Sequence, residues 1–442
     1  MCRQHHGQTN DDIRDGSGPG DPFPWSLGVY DAHCHPTDTM VSLEDIPRMN
    51  AAVLTVMATR SQDQSLVADV AASPLAVRTQ KDVSELLAGN RDRNQARVVP
   101  CFGWHPWFSH QLYDDTVPES ERTYRPPADG NEKDVRSAKR AHYSAVLTPA
   151  PKPDDDAFLD SLPEPAAISS YIDATRKRLL DNPLALVGEI GLDKAFRLPQ
   201  PFPDDRSTQA ADDGKTPGGR DGRLLSSQRV RMDHQVAVLK AQLRLAGELG
   251  RAVSVHGVQA HGVLYDALAS CWKGHEREVL SRKEKRQIAP GAEDFSSSSS
   301  SASEDEGEDA MHASGRTAKR GEDKSGMRRQ GGPYPPRICL HSFSGPAEML
   351  KQYLNPAIPA RIFVSFSTAI NLGTAGGLQK FEDVLRTCPD DGVLVESDLH
   401  VAGDEMDAAL ESMYRKVCEV KGWGLEEGVR KIGENYHAFI FG

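Results

Sequence analysis

The stretch that decides the fold is Tyr30-Asp31-Ala32-His33-Cys34-His35-Pro36, which follows the short apolar segment Leu27-Gly28-Val29. Side chains alternate along an extended backbone, so His33 and His35 point to the same face. Two imidazoles on one face at the end of a strand make half of a metal site; the alternative is a pair of ordinary surface histidines. If the site is real, carboxylates and further histidines should follow at the ends of later strands.

Seven further apolar runs follow, most of them separated by helical stretches. They are 51–57, 97–103, 184–193, 252–256, 337–341, 361–366 and 392–398. The first of these is apolar almost throughout, which is typical of a strand buried on both faces of a parallel sheet. Eight such strands with intervening helices predict an α/β fold, a TIM-like eight-stranded β/α barrel. A doubly wound open sheet is the competing fold, but no glycine-rich phosphate loop follows the first strand to favour it.

The barrel is expected to form one domain at residues 23–442, preceded by a disordered polar arm at 1–22. Charges, prolines and short polar runs mark three long insertions, at about 112–165, 197–225 and 275–335, which are expected to be disordered. The last insertion contains a run of serines from Ser296 to Ser301, with acidic residues close behind. Such a composition cannot bury enough apolar surface to offset its ordering entropy, so this insertion is predicted to be a disordered surface loop.

The composition limits the classes of partner. The net charge of −12 argues against a generally basic nucleic-acid-binding surface, although a local positive cleft or bound metal ions remain compatible with it. The 7 cysteines are scattered, without the paired spacing of zinc fingers or redox motifs. No secretory signal and no apolar run of the roughly 20 residues that a membrane span needs are present. We therefore expect a reducing intracellular compartment, cytoplasmic and/or nuclear, and no membrane partner.

Six polar residues of metal-ligand type lie at the ends of the predicted strands. They are His33, His35, Glu189, His256, His341 and Asp398. Each alone has a plain alternative, since His256 could be a satisfied core histidine and the two acids could cap helices. Together they indicate a site for zinc, manganese or nickel, because barrel enzymes place their chemistry at strand carboxyl ends. A shared carboxylate could bridge two cations that orient a phosphate and activate water, with Asp398 accepting the proton.

These residues lie in motifs that resemble the TatD-related metal-dependent hydrolases of the amidohydrolase superfamily. The motifs follow the family's order: Asp31-Ala32-His33-Cys34-His35, Gly103-Trp104-His105-Pro106, Gly188-Glu189-Ile190-Gly191-Leu192-Asp193, Val253-Ser254-Val255-His256, Leu340-His341-Ser342-Phe343-Ser344-Gly345 and Glu396-Ser397-Asp398. The resemblance covers the chain from about residue 27 to its end, apart from the insertions. Those insertions look like the ones found in the fungal branch of the family.

The resemblance implies two divalent metal ions (zinc, manganese, magnesium or nickel) and phosphodiester hydrolysis, which in characterised relatives is often that of a deoxyribonuclease with 3′–5′ exonuclease action. One ion would be held by His33, His35, Glu189 and Asp398. The other would be held by Glu189, His256 and His341, so that Glu189 bridges the two. His105 matches a family histidine near the substrate phosphate.

Three departures from the family pattern leave every ligand in place. Ile190 stands where threonine is usual, Ser342 where bacterial members have cysteine, and Leu399-His400 where a proline follows. The last departure alters the loop beside the proposed base, so the choice of substrate stays open. His400 could contact substrate or metal, or be an exposed loop histidine. His261 falls on the helix after the fifth strand and is not assigned to the site.

Two other functions stay open from the sequence. Related barrels hydrolyse amides or lactones, often with a carbamylated lysine as the bridge, and Glu189 in that position favours the phosphoesterase. An interaction or scaffold protein could keep the fold and bind a protein partner through the acidic, serine-rich insertion. Among the aromatic residues near His105, a ring could stack on a nucleobase, or the rings could form a structural rim. These rings are Trp104, Trp107 and Phe108.

Overall fold

The chain is described by a computed structural model over residues 22–38, 42–88, 97–127, 131–201, 223–279, 332–373 and 375–442, without the side chains of 375 and 376. The predicted N-terminal arm lies almost wholly outside the described residues. The same holds for 202–222 and 280–331, which make up most of the second and third predicted insertions, including the serine run.

Eight parallel strands form the centre of the fold, one for each predicted apolar run. They are β1 (Tyr30–Cys34), β2 (Val53–Met57), β3 (Val98–Cys101), β4 (Val187–Asp193), β5 (Val253–Val258), β6 (Arg337–Leu340), β7 (Arg361–Phe366) and β8 (Val393–Val395). They pair as two sheets, in the orders β1-β2-β3 and β8-β7-β6-β5-β4. The strand prediction is therefore confirmed, with boundaries that shift by a few residues.

Backbone hydrogen bonds join the two sheets at both of their edges. Between β3 and β4, Phe102 N donates to Leu186 O (3.0 Å) and Gly188 N donates to Phe102 O (3.1 Å). Just beyond β8, Asp398 N donates to His33 O at 3.0 Å. Within the described residues β8 and β1 form no strand ladder of their own. The result is the predicted TIM-like barrel, whose β8–β1 seam is linked at the carboxyl ends of the strands.

Helices surround these strands. They are α1 (Ser61–Ala72), α2 (Gln80–Leu87), α3 (Glu132–Val146), α4 (Asp156–Ser161), α5 (Ile168–Asp181), α6 (Met232–Glu248), α7 (His261–Trp272), α8 (Ala347–Tyr353), α9 (Thr368–Asn371), α10 (Ala375–Thr387), α11 (Asp404–Lys421) and α12 (Leu425–Ile440). Across the described ranges, no helix has both the length and the apolar content needed to cross a membrane.

Two apolar cores follow from the alternation of side chains along the strands. The larger one combines strand residues with the inner faces of surrounding helices, such as Leu243 of α6 and Leu410 of α11. The second combines alternate strand residues with α12. There the Tyr436 ring stacks on the Tyr30 ring with centroids 4.6 Å apart, and its hydroxyl lies 2.9 Å from Thr55 Oγ1. The last helix therefore packs against the strand residues of this second core.

The predicted insertion at about 112–165 is folded where it is described, which corrects the expectation that the insertions are disordered. It contains α3 and α4, and it has a core of its own. That core is made of Tyr143, Val146, Leu147, Phe158, Leu159, Leu162, Leu198 and Val230. The charged residues that dominate this segment occupy the outer helix faces, while apolar residues at helical spacing pack inward. The composition of this segment does not reveal the helical spacing of its apolar residues.

Candidate metal centre

All seven predicted site residues lie together at the carboxyl ends of the strands. His33, Glu189 and His256 belong to β1, β4 and β5. The other four lie just beyond strand ends and are His35, His105, His341 and Asp398. We call these seven residues the Glu189 cluster. All but Asp398 are buried, and its side chain is only 16% exposed.

Glu189 is the centre of this arrangement, because both of its carboxylate oxygens face imidazoles. Its Oε1 lies 2.9 Å from His256 Nδ1, 3.0 Å from His341 Nε2 and 3.2 Å from His105 Nε2. Its Oε2 lies 3.5 Å from His33 Nε2 and 3.4 Å from His35 Nε2. One buried carboxylate thus touches side chains from four other strand ends, which is the geometry expected of a bridging ligand.

His105 makes a contact that its predicted role near a phosphate does not include. The resemblance placed it near a substrate phosphate, whereas here its Nε2 approaches Glu189 about as closely as the nitrogens of the predicted ligands do. His105, Glu189 and His256 form one of three groups whose ligand atoms lie within 4.8 Å of one another. His105 is therefore placed where it could bind a metal ion as well as a phosphate.

Asp398 faces His33 of β1 and His35 just beyond the end of that strand. Its Oδ1 lies 3.7 Å from His35 Nε2 and 4.0 Å from His33 Nε2. Its backbone has a φ of 58°, in the left-handed region that residues with a Cβ rarely adopt. Strain of this kind persists where the surroundings fix it, and it clusters at functional sites.

Glycines allow the strands that carry the cluster to approach one another. A Cβ on Gly103 would lie 2.3 Å from the carbonyl carbon of Gly188, and a Cβ on Gly191 would lie 2.0 Å from His256 O. Any side chain at these positions would push the backbone of β4 away from its neighbours. Gly103 and Gly191 therefore allow the close approach of neighbouring strands that brings the Glu189 carboxylate near the histidines.

Three polar side chains hold the outer nitrogens of the histidines. Ser254 Oγ lies 2.9 Å from His33 Nδ1, Asp193 Oδ2 lies 3.3 Å from His256 Nε2, and Glu396 Oε1 lies 3.0 Å from His341 Nδ1. Such partners fix the orientation of a metal-ligating imidazole and raise its basicity. The sequence prediction missed all three, although Ser254, Asp193 and Glu396 all stand in the quoted motifs, two to four residues from ligands.

Another buried carboxylate, Asp31, links β1 to the segment after β8. It accepts hydrogen bonds from Ser397 N (3.0 Å), Ser397 Oγ (2.5 Å) and His33 N (3.0 Å). Burial raises its pKa to about 7, against the lowering effect of these hydrogen bonds. Asp31 therefore positions the two strand ends that carry His33 and Asp398.

The charges of the cluster depend on one another. Burial alone would raise the pKa of Glu189, but the imidazoles of His105, His341 and His33 outweigh it and hold that pKa well below its usual range. Burial would lower the pKa of His256, but Asp193 and Glu189 raise it to about 9. The pKa of Asp398 is raised, chiefly by burial. An ionised Glu189 is the form that binds a cation.

The donor set fits a divalent cation. It consists of imidazole nitrogens and carboxylate oxygens, the ligands of zinc, manganese and nickel. Among the described residues, two groups besides His105, Glu189 and His256 have ligand atoms within 4.8 Å of one another. One is His33, His35 and Glu189, and the other is His33, His341 and Glu396. His35 Nδ1 is buried and has no hydrogen-bond partner among the described residues. Cys34 points away from the cluster, with its Sγ 3.6 Å from Thr55 O, so this thiol takes no part in it.

The residues whose roles the sequence did not decide have different surroundings in the structure. His400 has a half-exposed side chain, stacks on His35 (centroids 5.3 Å apart) and lies 2.8 Å from Asp38 through its Nδ1. His261 begins α7 and contacts Phe343. Trp104 is buried and donates its indole N–H to Phe108 O, so it is a structural ring.

A family model described as TatD related DNase matches residues 30–440 of this chain. The Cut9-interacting protein scn1 of Schizosaccharomyces pombe is 34% identical over 415 residues, which cover 93% of this chain and 98% of that protein. A protein of Saccharomyces cerevisiae named as an uncharacterized deoxyribonuclease is 24% identical over 363 residues, covering 80% of this chain and 85% of that protein.

Among solved structures, a TatD homologue of Escherichia coli aligns over 95% of this chain and 99% of its own, with 14% identity and a TM-score of 0.45. An uncharacterized amidohydrolase of Saccharomyces cerevisiae aligns over 95% of this chain and 100% of its own, with 14% identity and a TM-score of 0.46.

Proposed function

Since the chain belongs to the TatD-related DNase family, we propose that it is a divalent-metal-dependent hydrolase that cleaves phosphodiester bonds, with DNA as substrate and 3′–5′ exonuclease action. One observation carries the proposal: the buried carboxylate of Glu189 lies 2.9–3.5 Å from five imidazole nitrogens. Burying the charge of Glu189 without a partner would cost too much free energy, and a ligand set of this size is typical of metal centres.

The cluster divides into two overlapping ligand sets. His33, His35, Glu189 and Asp398 would hold one ion, and Glu189, His256 and His341 the other, with His105 close enough to Glu189 to join the second set. Bound there, two divalent ions would polarise the phosphate and lower the pKa of an attacking water. Zinc, manganese, magnesium and nickel are the candidates.

Asp398 is the residue that we assign to take the proton of the attacking water. It lies at the edge of the cluster, where its carboxylate is partly reachable, and its raised pKa suits a proton acceptor better than the strongly acidic Glu189. When the oxygen of that water attacks phosphorus, the bond between phosphorus and the leaving sugar oxygen breaks. The sugar oxygen then takes up a proton from solvent. His105 is assigned to the phosphate as well as to Glu189.

The decisive experiment compares three proteins after removal and return of metal. Wild type, Glu189→Ala and Asp398→Ala are stripped with chelator, reloaded with Mn²⁺ or Mg²⁺, and assayed on single-stranded DNA, RNA and bis-p-nitrophenyl phosphate. Wild type alone should turn over a phosphodiester, and its metal content should exceed that of Glu189→Ala. Equal background rates in all three proteins would contradict the proposed hydrolase activity.

A second candidate function is binding to a protein partner. It is favoured by the name of the Schizosaccharomyces pombe relative, a Cut9-interacting protein that aligns with 93% of this chain. The acidic, serine-rich part of the insertion at 275–335 is the proposed contact, and a nuclear or cytoplasmic location goes with it. Pulldown with and without this insertion tests the idea; unchanged partners would count against it.

A further inference from the structure

Two aromatic rings stack at the mouth of the Glu189 cluster. Trp107 lies in the turn of 3₁₀ helix after β3, and Phe196 lies in the loop after β4. Their ring centroids are 4.6 Å apart with an interplanar angle of 11°. Both residues are partly exposed, in contrast to the buried Trp104. We call Trp107 and Phe196 the aromatic pair.

One buried carboxylate ties this pair to the cluster. Asp193 Oδ2 accepts the indole N–H of Trp107 at 2.6 Å and lies 3.3 Å from His256 Nε2, while Asp193 Oδ1 accepts the backbone N–H of Phe196 at 2.9 Å. The Trp107 ring lies with its centroid 4.6 Å from that of His105 and 6.1 Å from that of His256. The rings are therefore held in a fixed relation to two residues that contact Glu189.

The folded insertion supports the pair from behind. Phe196 packs against the small apolar core formed mainly by α3 and α4 of that insertion. Trp107 in turn packs on Phe196. A ring fixed by a hydrogen bond and by packing loses little entropy when a ligand stacks on it, so the arrangement is preorganised for binding.

We propose that the aromatic pair is a stacking site for the nucleobase of the nucleotide whose phosphate reaches the Glu189 cluster. The inference rests on the proposed function and names the part of the substrate that the family resemblance left open. A sugar separates base from phosphate in a nucleotide, so a phosphate at Glu189 brings its base to the neighbouring wall. Stacking accepts every base, because each one offers a π-face.

Two oligonucleotides that differ only in their 3′-terminal residue test the proposal. One ends in a normal nucleotide and the other in its tetrahydrofuran abasic analogue. In wild type, kcat/KM for the base-bearing end should exceed that for the abasic end by about 5- to 100-fold. In Trp107→Ala this ratio should fall toward one. Trp107→Phe, which keeps a ring but loses the indole N–H, should retain most of it.

A matched control is Trp423→Ala. This tryptophan is also partly exposed, but it packs between Lys421 and Lys431 near the start of α12, and the ratio should stay at its wild-type value. A ratio near one in wild type would overturn the stacking site and leave the hydrolase standing. Equal loss of the ratio in Trp107→Ala and Trp107→Phe would also overturn it, because the bond to Asp193 would then be the cause.

A binding measurement gives a readout that does not need turnover. An oligonucleotide with a terminal 2-aminopurine is titrated with each protein in the presence of Ca²⁺, and stacking quenches its fluorescence. Wild type and Trp107→Phe should quench the probe, and Trp107→Ala should not. Binding without quenching in wild type would overturn the stacking site even if no variant were active. If wild type bound the probe but cleaved neither oligonucleotide above the Glu189→Ala rate, the hydrolase alone would fail.

Discussion

Two groups of buried or partly buried histidines lie near the short turn after β3, and they differ in the hydrogen-bond partners of their imidazoles. In the Glu189 cluster the imidazoles face carboxylates. In the second group, which we call the His142 cluster (His110, His142 and His234), the partners are main-chain carbonyls and a hydroxyl. Nε2 of His142 donates to His110 O and Nε2 of His234 donates to Ser109 O, each at 2.9 Å, while the Thr123 hydroxyl donates to Nδ1 of His142 at 2.9 Å.

The pKa values of some histidines differ in direction between the two groups. Burial lowers the pKa of His110 to about 3 and that of His142 to about 4. Glu396 and Glu189 instead hold the pKa of His341 well above its usual range despite burial. Burial also lowers the pKa of His105, and that of His35 to about 3, although both contact Glu189. Burial thus favours a neutral imidazole, and the carboxylates of the Glu189 cluster reverse this effect at His256 and His341. The His142 cluster should affect stability, and the Glu189 cluster should affect metal binding and turnover.

The largest effect is expected from Glu189→Gln. The variant keeps the shape of the side chain but removes the charge that five imidazoles share, so bound metal should be lost and turnover should fall about 1000-fold or more. Metal content by mass spectrometry and kcat on a phosphodiester measure this. Glu348→Gln, at an exposed ion pair with Lys351, is the control. A metal-loaded, active Glu189→Gln protein would remove Glu189 from the centre.

Glu396→Gln should have a smaller effect on the same centre. Glu396 contacts His341 Nδ1 and does not reach Glu189 itself, so metal affinity or activity should fall about 10- to 100-fold. A metal titration followed by activity separates the two. If affinity and kcat both stayed at wild-type values, the carboxylate would serve only to pack β8 against β6.

His142→Ala should destabilise the protein without changing its metal content. It leaves His110 O and the Thr123 hydroxyl without their partner and opens a cavity, at a cost of about 2–4 kcal/mol. Urea unfolding measures the loss, and the exposed His275→Ala serves as control. Loss of metal with unchanged stability would show that the two groups are not as different as their partners indicate.

The smallest effect concerns pH. The folded pKa values of His110 and His142 lie below the ordinary 6.5, so the unfolded chain takes up protons first as the pH falls. The contribution of these two histidines to stability is fully present above about pH 6.5. The free energy of unfolding should fall from there toward pH 4, by roughly 1 kcal/mol per pH unit for each histidine. Urea unfolding at several pH values should give a shallower slope for His142→Ala than for wild type. Identical slopes would indicate that His142 is already charged in the folded chain.

Much of the fold and of the cluster could be predicted from the sequence. The eight apolar runs and the polar residues at their ends follow from local pattern, because the strands of a barrel all point their carboxyl ends to one face. Glu396 could not be assigned from spacing: it shares a strand face with Asp398, but its contact with His341 depends on how β8 lies beside β7 and β6. The same limit applies to Asp193, whose partner is on β5.

Contacts between distant segments were the other part that the sequence hid. The core around Tyr143 brings together helices of the insertion with Leu198 and Val230, and no local pattern indicates such a set. The stack of Trp107 on Phe196 likewise joins loops after different strands. His105 was placed by resemblance near a phosphate, and only the approach of β3 to β4 through Gly103 brings it to Glu189.

The seam between β1 and β8 has a consequence for the order in which the chain is made. His33 and Asp398 are joined through the bond from Asp398 N to His33 O and through Asp31, yet 364 residues separate them along the chain. During synthesis the first half of the centre waits until nearly the whole protein has left the ribosome. A fragment that stops before β8 carries five imidazoles and Glu189 but lacks Asp398, so the Glu189 cluster is complete only with the completed barrel.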